Sequence, residues 1–166
     1  MNRALFIISL LFLSFCTSSA QDGRALYLKY RNAGGVEASY ISQEMFALFG
    51  RLPEIEILDR DVDLTPVVKE LKGLYILESK RSRVSKRLRD DLEEIIRNAG
   101  YTLIMSDRDD DEETWIYALY NGNLITSLLY CSCEDYHEVD VIFIEGDIMK
   151  EDLNRTLNQN KKYYRK

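Results

Sequence analysis

At Gly100 the spacing of apolar residues changes, and that change limits what this chain can fold into. Before it, in "SRVSKRLRDDLEEIIRNAG", Val84, Leu88, Leu92, Ile95, Ile96 and Ala99 fall on one face of a helix that Gly100 ends. After it the period is two. "YTLIMS" (Tyr101 to Ser106), "TWIYALY", "NLITSLLYC" and "VDVIFIE" (Val139 to Glu145) read as four strands of a meander. Asn121-Gly122 separates the middle pair, and such a dipeptide between apolar runs is a strong hairpin signal because the turn needs positive φ. An amphipathic helix must bury its apolar stripe against a sheet face. The expected fold is therefore α+β and two-layer, with an antiparallel meander sheet of about five to six strands covered by amphipathic helices.

Upstream, Leu26 to Tyr30 reads as a short helix closed by Asn32 to Gly35, and Val36 to Ile41 as a strand. Ser42 is placed to cap a helix through "QEMFALF", with Gly50 as its stop. In "DLTPVVKELKG", Thr65 is a suitable N-cap, Pro66 sits at the first helical position and Gly73 ends the helix. Leu74 to Ser79 then forms a strand. Near the other end, Asp147 is expected to cap a last helix carrying Leu153 and Leu157, before a basic tail over residues 159–166. On the second meander segment, Trp115, Tyr117 and Leu119 share one face and Ile116, Ala118 and Tyr120 the other, so one set must pack under the helices.

The first twenty residues read as a secretory signal peptide. Arg3 is the basic start, Ala4 to Phe15 the apolar run, and Ser18 and Ala20 the small residues before a cleavage at Gln21. Twelve apolar residues are too few to span a bilayer. Cys16 offers a lipoprotein alternative, but Phe15 stands where that peptidase wants a small side chain, which favours release at Ala20 into the periplasm or medium. Removing residues 1–20 takes away one of 22 cations and no acid, so the exported charge is 21 − 28 = −7. That balance argues against a nucleic-acid partner. Residues 21–158 suit a single domain.

Three clusters invite a chemical reading. "CSCEDYHE" holds Cys131, Cys133 and His137, with Glu134, Asp135 and Glu138 as further oxygen donors. Zinc accepts such ligands, but a structural site usually draws a second pair from elsewhere in the chain. A Cys131–Cys133 disulfide is the redox reading. In a regular strand the two Cβ atoms lie too far apart for it, so it needs a bend. The third reading is two half-buried thiols at a strand end with His137 in a turn. "DRDVDLTPVVKE" places Asp59, Asp61, Asp63 and Glu70 at calcium-loop spacing, but Leu64 occupies the position that needs Gly and Pro66 follows. "SDRDDDEE" (Ser106 to Glu113) reads as a solvated acidic loop between strands.

The start of the long helix carries Lys80, Arg81, Arg83, Lys86, Arg87 and Arg89, ahead of Asp90, Asp91, Glu93 and Glu94. That order opposes the helix dipole, which prefers acids first. Arg81, Arg83, Lys86 and Arg87 are therefore candidates for docking an acidic partner or an anionic envelope polymer, the alternative being a solvated helix face balanced by its own acids.

The strings "RLRDDLEEIIRNAGYTLIMS", "WIYALYNGNLITSLL" and "VDVIFIEGDI", with "YISQEMFALF" upstream, resemble a bacterial exported family catalogued as "domain of unknown function 4252". The resemblance covers most of residues 25–158. It rests on the helix ending "NAGY", the hairpin and the last strand closing in Gly146-Asp147-Ile148. It implies a cell-envelope setting linked to signalling, and it brings no catalytic residue or cofactor to carry over.

With one histidine and no glycine-rich phosphate loop, no catalytic constellation can be assembled. The expectation is a non-enzymatic exported interaction module without cofactor, meeting an envelope protein or a second copy of itself. It would act through the sheet face or the basic helix start. The alternative is a metal- or thiol-dependent protein centred on Cys131, Cys133 and His137.

Overall fold

A computed structural model describes residues 22–49, 56–57, 60–61, 65–109, 111–134, 137–153 and 155. The signal segment with Cys16, together with Gly50, Asp59, Asp63, Leu64, Asp135, Leu157 and the basic tail, lies outside those residues.

The chain runs α1 (Asp22–Tyr30), β1 (Val36–Ser42), α2 (Gln43–Phe49), β2 (Glu56–Ile57), β3 (Arg60–Asp61), a 3-10 helix (Thr65–Glu70), β4 (Leu71–Ser79), α3 (Ser82–Ala99), β5 (Thr102–Asp109), β6 (Glu112–Asn121), β7 (Leu124–Glu134) and β8 (Glu138–Met149). Six strands form one antiparallel sheet in the order β1-β4-β8-β7-β6-β5, and β2 pairs with β3 in a small separate ladder. The expected α+β architecture is present, with β5 to β8 as the meander and β4 inserted between β1 and β8.

Strand alternation sorts the apolar side chains onto the two faces. On the first face, α1 and α3 bury Leu26, Tyr30, Val84, Leu88 and Leu92 against Tyr75, Leu77, Leu119, Leu129, Val141 and Phe143. Trp115 and Tyr117 pack against this cluster, so their set of β6 residues is the one under the helices. Each fully buried leucine or phenylalanine contributes roughly 1.5–3 kcal/mol of transfer free energy. Gly100 stops α3 in the left-handed conformation, φ 78°, and its N–H donates to the Ile96 carbonyl.

The second face has shorter cover. Phe46 of α2, Val67 of the 3-10 helix and Leu153, in a helical segment beginning at Lys150, pack on Leu74, Ala118, Ile125, Leu128, Ile144 and Ile148. Ser42 caps α2, accepting the Met45 N–H at 3.4 Å.

Five local expectations need correction. The helix from Thr65 ends at Glu70 as a 3-10 helix, and β4 starts at Leu71 rather than Leu74. Gly73 is a strand residue opposite Glu145, beside a bulge, instead of a helix stop. Asp147 lies in β8, which runs on to Met149, and pairs with Lys72 across the strands at 2.6 Å. The hairpin turn is Gly122-Asn123, since Asn121 and Leu124 already face each other in the ladder. Finally, most of "SDRDDDEE" is paired strand: Asp107, Arg108 and Asp109 stand opposite Thr114, Glu113 and Glu112. Cross-strand hydrogen bonds, and an Arg108–Glu113 ion pair at 2.9 Å, outweigh the repulsion expected of an acidic loop.

Candidate functional site

Cys131 and Cys133 point to the helix-covered face of β7, and both are buried as free thiols. They are two residues apart on a regular strand, opposite Trp115 and Glu113 of β6. The two thiols influence each other's ionisation. That interaction first, and then burial, pushes Cys131 well up; the same interaction, aided by the nearby Arg89 guanidinium, pulls Cys133 down. Arg89 also stands over the Trp115 ring, 5.7 Å from its centre.

His137 does other work. In the β7–β8 turn its Nδ1 meets Ser82 Oγ at 2.6 Å, at the start of α3. Its carbonyl oxygen accepts from Ser85 Oγ at 2.7 Å, and Ser85 Oγ also lies 3.0 Å from Ser79 Oγ. These contacts fasten the turn to the helix. No three His, Cys, Asp or Glu side chains converge on a metal position among the described residues. Glu70, from the calcium-like spacing, instead accepts the Met149 N–H at 3.3 Å.

Two of the four candidate cations at the basic helix start have neighbours within the fold. Arg81 lies along the turn before β1, so closely that a Cβ on Gly35 would stand 2.4 Å from its Cδ. Arg87 lines a cleft of about 380 Å³ with Lys29, Tyr30, Ala33, Asp90 and Asp91. There Lys29 pairs with Asp91 at 2.5 Å, and the Tyr30 hydroxyl donates to the same carboxylate at 2.6 Å. Burial opposes the charge on Asp91, yet these two hydrogen bonds hold its carboxyl below the usual range. With two cations and two acids the cleft balances itself. Arg81, Arg83, Lys86 and Arg87 are all exposed.

Sequence reasoning missed a feature on the opposite side. Strand register lines up Glu37, Glu78, Asp140, Ser132, Thr114 and Asp107 in one row across all six strands, facing away from α1 and α3. Two residues further along the strands, on the same face, come Glu138, Glu134, Glu112 and Asp109. Eight carboxylates thus share one end of the sheet, with Lys80 as a nearby cation. Ser132 donates to Glu112, and the Tyr130 hydroxyl meets Thr114 and Ser132. Glu37, Asp107, Glu112, Glu134, Glu138 and Asp140 are exposed. Partial burial, then Glu78 and Glu138, raise the Asp140 carboxyl to about 6. Next to the acids, on the side of the second core, runs a half-exposed row of Ile76, Tyr130 and Ile116 about a buried Ile142. Alternation within each strand was legible, but which strands are neighbours was not.

A second acid also escaped notice. Glu145 is buried on the helix side of β8, where its carboxylate receives the Gly23 and Arg24 N–H groups at the start of α1. Burial raises it to about 7, with Asp22 adding to the shift.

A family model described as "Domain of unknown function (DUF4252)" matches residues 30–156. The chain belongs to this family. No curated protein and no solved structure matches it. The matched span runs from the end of α1 to the last described residues, so it takes in the second core cluster, the first apart from its α1 residues Leu26 and Tyr27, and the acidic end of the sheet.

Proposed function

We propose that this DUF4252 chain is an exported, non-enzymatic binding module of the cell envelope. Its contact surface is the acidic end of the second sheet face, and its partner is a basic polypeptide. The observation that carries this is the joint presence, on an accessible sheet face, of eight aligned carboxylates and a half-exposed apolar row. Carboxylates held side by side repel each other, and a cationic partner relieves that repulsion while the apolar row supplies contact area. The net charge of −7 after export and the N-terminal "MNRALFIISLLFLSFCTSSAQD" support the same setting. The basic start of α3 is less suited, because Arg81 and Arg87 already have neighbours within the fold. The thiol- or metal-dependent alternative has less support, since His137 turns toward Ser82.

The test is comparative capture from an envelope fraction, using the exported chain, a Glu112→Lys/Glu138→Lys variant and an Arg83→Glu/Lys86→Glu variant as baits. A protein held by the first and third baits and lost from the second is expected. The reverse pattern would move the surface to α3. A protein held equally by all three would refute the reading.

A further inference from the structure

We propose that the chain's own C-terminal tail, residues 159–166, docks on this acidic sheet end and competes there with the external partner. The proposal rests on the reading of that face as a binding surface and adds its regulation. The tail contains Lys161, Lys162, Arg165 and Lys166 with Tyr163 and Tyr164, and no acid. Its composition matches the face in both respects. Four cations meet a band of carboxylates, and two tyrosines meet the apolar row of Ile76, Tyr130 and Ile116.

The chain also leaves the described fold on the correct side. Leu153 is buried in the second-face cluster with Ile144 and Ile148. From Ile148 to Asp140 is eight residues along β8, about 27 Å at the usual strand rise. Residues 156–166 can extend about 36 Å, so the cations at their far end reach the acids. Tethering keeps the local concentration of the tail high, and a partner must displace it. High salt weakens the tail's hold, because screening shortens the range of these attractions.

The experiment uses the chain from residue 21 to residue 166. Zero-length carbodiimide coupling, read by peptide mass spectrometry, is expected to join Lys166, at the far end of the tail, to Glu112, Glu134, Glu138 or Asp140. The Lys72–Asp147 pair serves as the internal control. Mixing isotopically heavy and light copies tells links within one chain from links between two. A synthetic peptide of residues 158–166 is then titrated onto the exported chain and onto a variant with Lys161, Lys162, Arg165 and Lys166 all changed to Ser. At least tenfold tighter binding to the variant is expected, and Glu112→Lys/Glu138→Lys in that variant should abolish it. Control links without tail links, links only between copies, or equal peptide affinity for both chains would each overturn the proposal. Should the tail lie elsewhere while the peptide still binds through Glu112 and Glu138, only the tail assignment falls. Should the peptide bind neither chain, the preference of this face for basic polypeptide falls with it.

Discussion

Ser85 Oγ stands 2.7 Å from the carbonyl oxygen of His137, joining the first turns of α3 to the β7–β8 turn across 52 residues of sequence. The serine is fully buried and has Ser79 as its other neighbour. Losing its hydroxyl leaves the His137 carbonyl without that partner, which costs about 1–3 kcal/mol when the group stays buried. Ser85→Ala should therefore lower the unfolding free energy by that order. His137→Ala should change it by much less, because the accepted hydrogen bond goes to the backbone and the ring is exposed. Urea denaturation of the two variants decides this; similar losses would mean that the ring contact to Ser82 matters as much.

Gly146 has a steric role that its neighbours in the sheet define. A Cβ there would stand 2.5 Å from the Glu70 carbonyl oxygen, and backbone cannot swing aside as a side chain can. Gly100 is the opposite case, with φ 78° and open space around the missing Cβ. Gly100→Ala carries only the left-handed penalty, about 1–2 kcal/mol. Gly146→Ala should cost more, and should loosen the 3-10 helix against β8 as well. Thermal denaturation ranks the pair, and a milder effect at Gly146 would show that Glu70 can retreat.

The strand-by-strand content of this fold was legible because alternation is local: Trp115, Tyr117 and Leu119 were placed on one face before any partner was known. Pairing is not local. "VVKELKG" continues a helical pattern, and only the long-range ladder to Gly146 and Glu145 makes Leu71 to Gly73 a strand. Asp147 looks like a cap until Lys72 is found opposite it. For the same reason the acidic row could not be read, since Glu78 and Asp140 are 62 residues apart in the chain and adjacent only because β4 enters between β1 and β8. The "CSCEDYHE" cluster misled in the other direction. Residues close in sequence were separated by the strand's alternation and by the turn, with the thiols beneath α3 and the imidazole at its rim.

The two thiols give a direct chemical check. Both are buried, so the folded chain from residue 21 onward, which lacks Cys16, should react slowly with iodoacetamide and take up two equivalents once unfolded in guanidine. Of the two, Cys133 should be modified first, since Cys131 and Arg89 draw its thiol down while Cys131 is pushed up. Intact mass after timed alkylation, with peptide mapping, reads both the rate and the order. Rapid labelling of the native chain at Cys131 would contradict the packing of β7 beneath α3.

Glu145 sets the expected pH dependence. Its folded pKa is about 7 against an ordinary 4.5, so folding favours the protonated carboxyl. Stability from this group is complete below about pH 4.5 and declines as pH rises through about 7, by at most about 1.4 kcal/mol for each unit crossed. Asp140, raised to about 6 from 3.8, contributes a smaller decline of the same sign because it is partly solvated. The groups facing Glu145 are Asp22, which raises it further, and Arg24, which together with the Gly23 and Arg24 N–H groups holds it down. The exported chain should therefore unfold at lower urea at pH 8 than at pH 5. Glu145→Gln keeps an oxygen for the α1 N–H groups and removes the ionisation, so its midpoint should change less between the two pH values. Asp140→Asn should remove only the smaller share. A parent chain equally stable at both pH values would mean that Glu145 is ionised at no cost, with a cation near the start of α1 offsetting its burial.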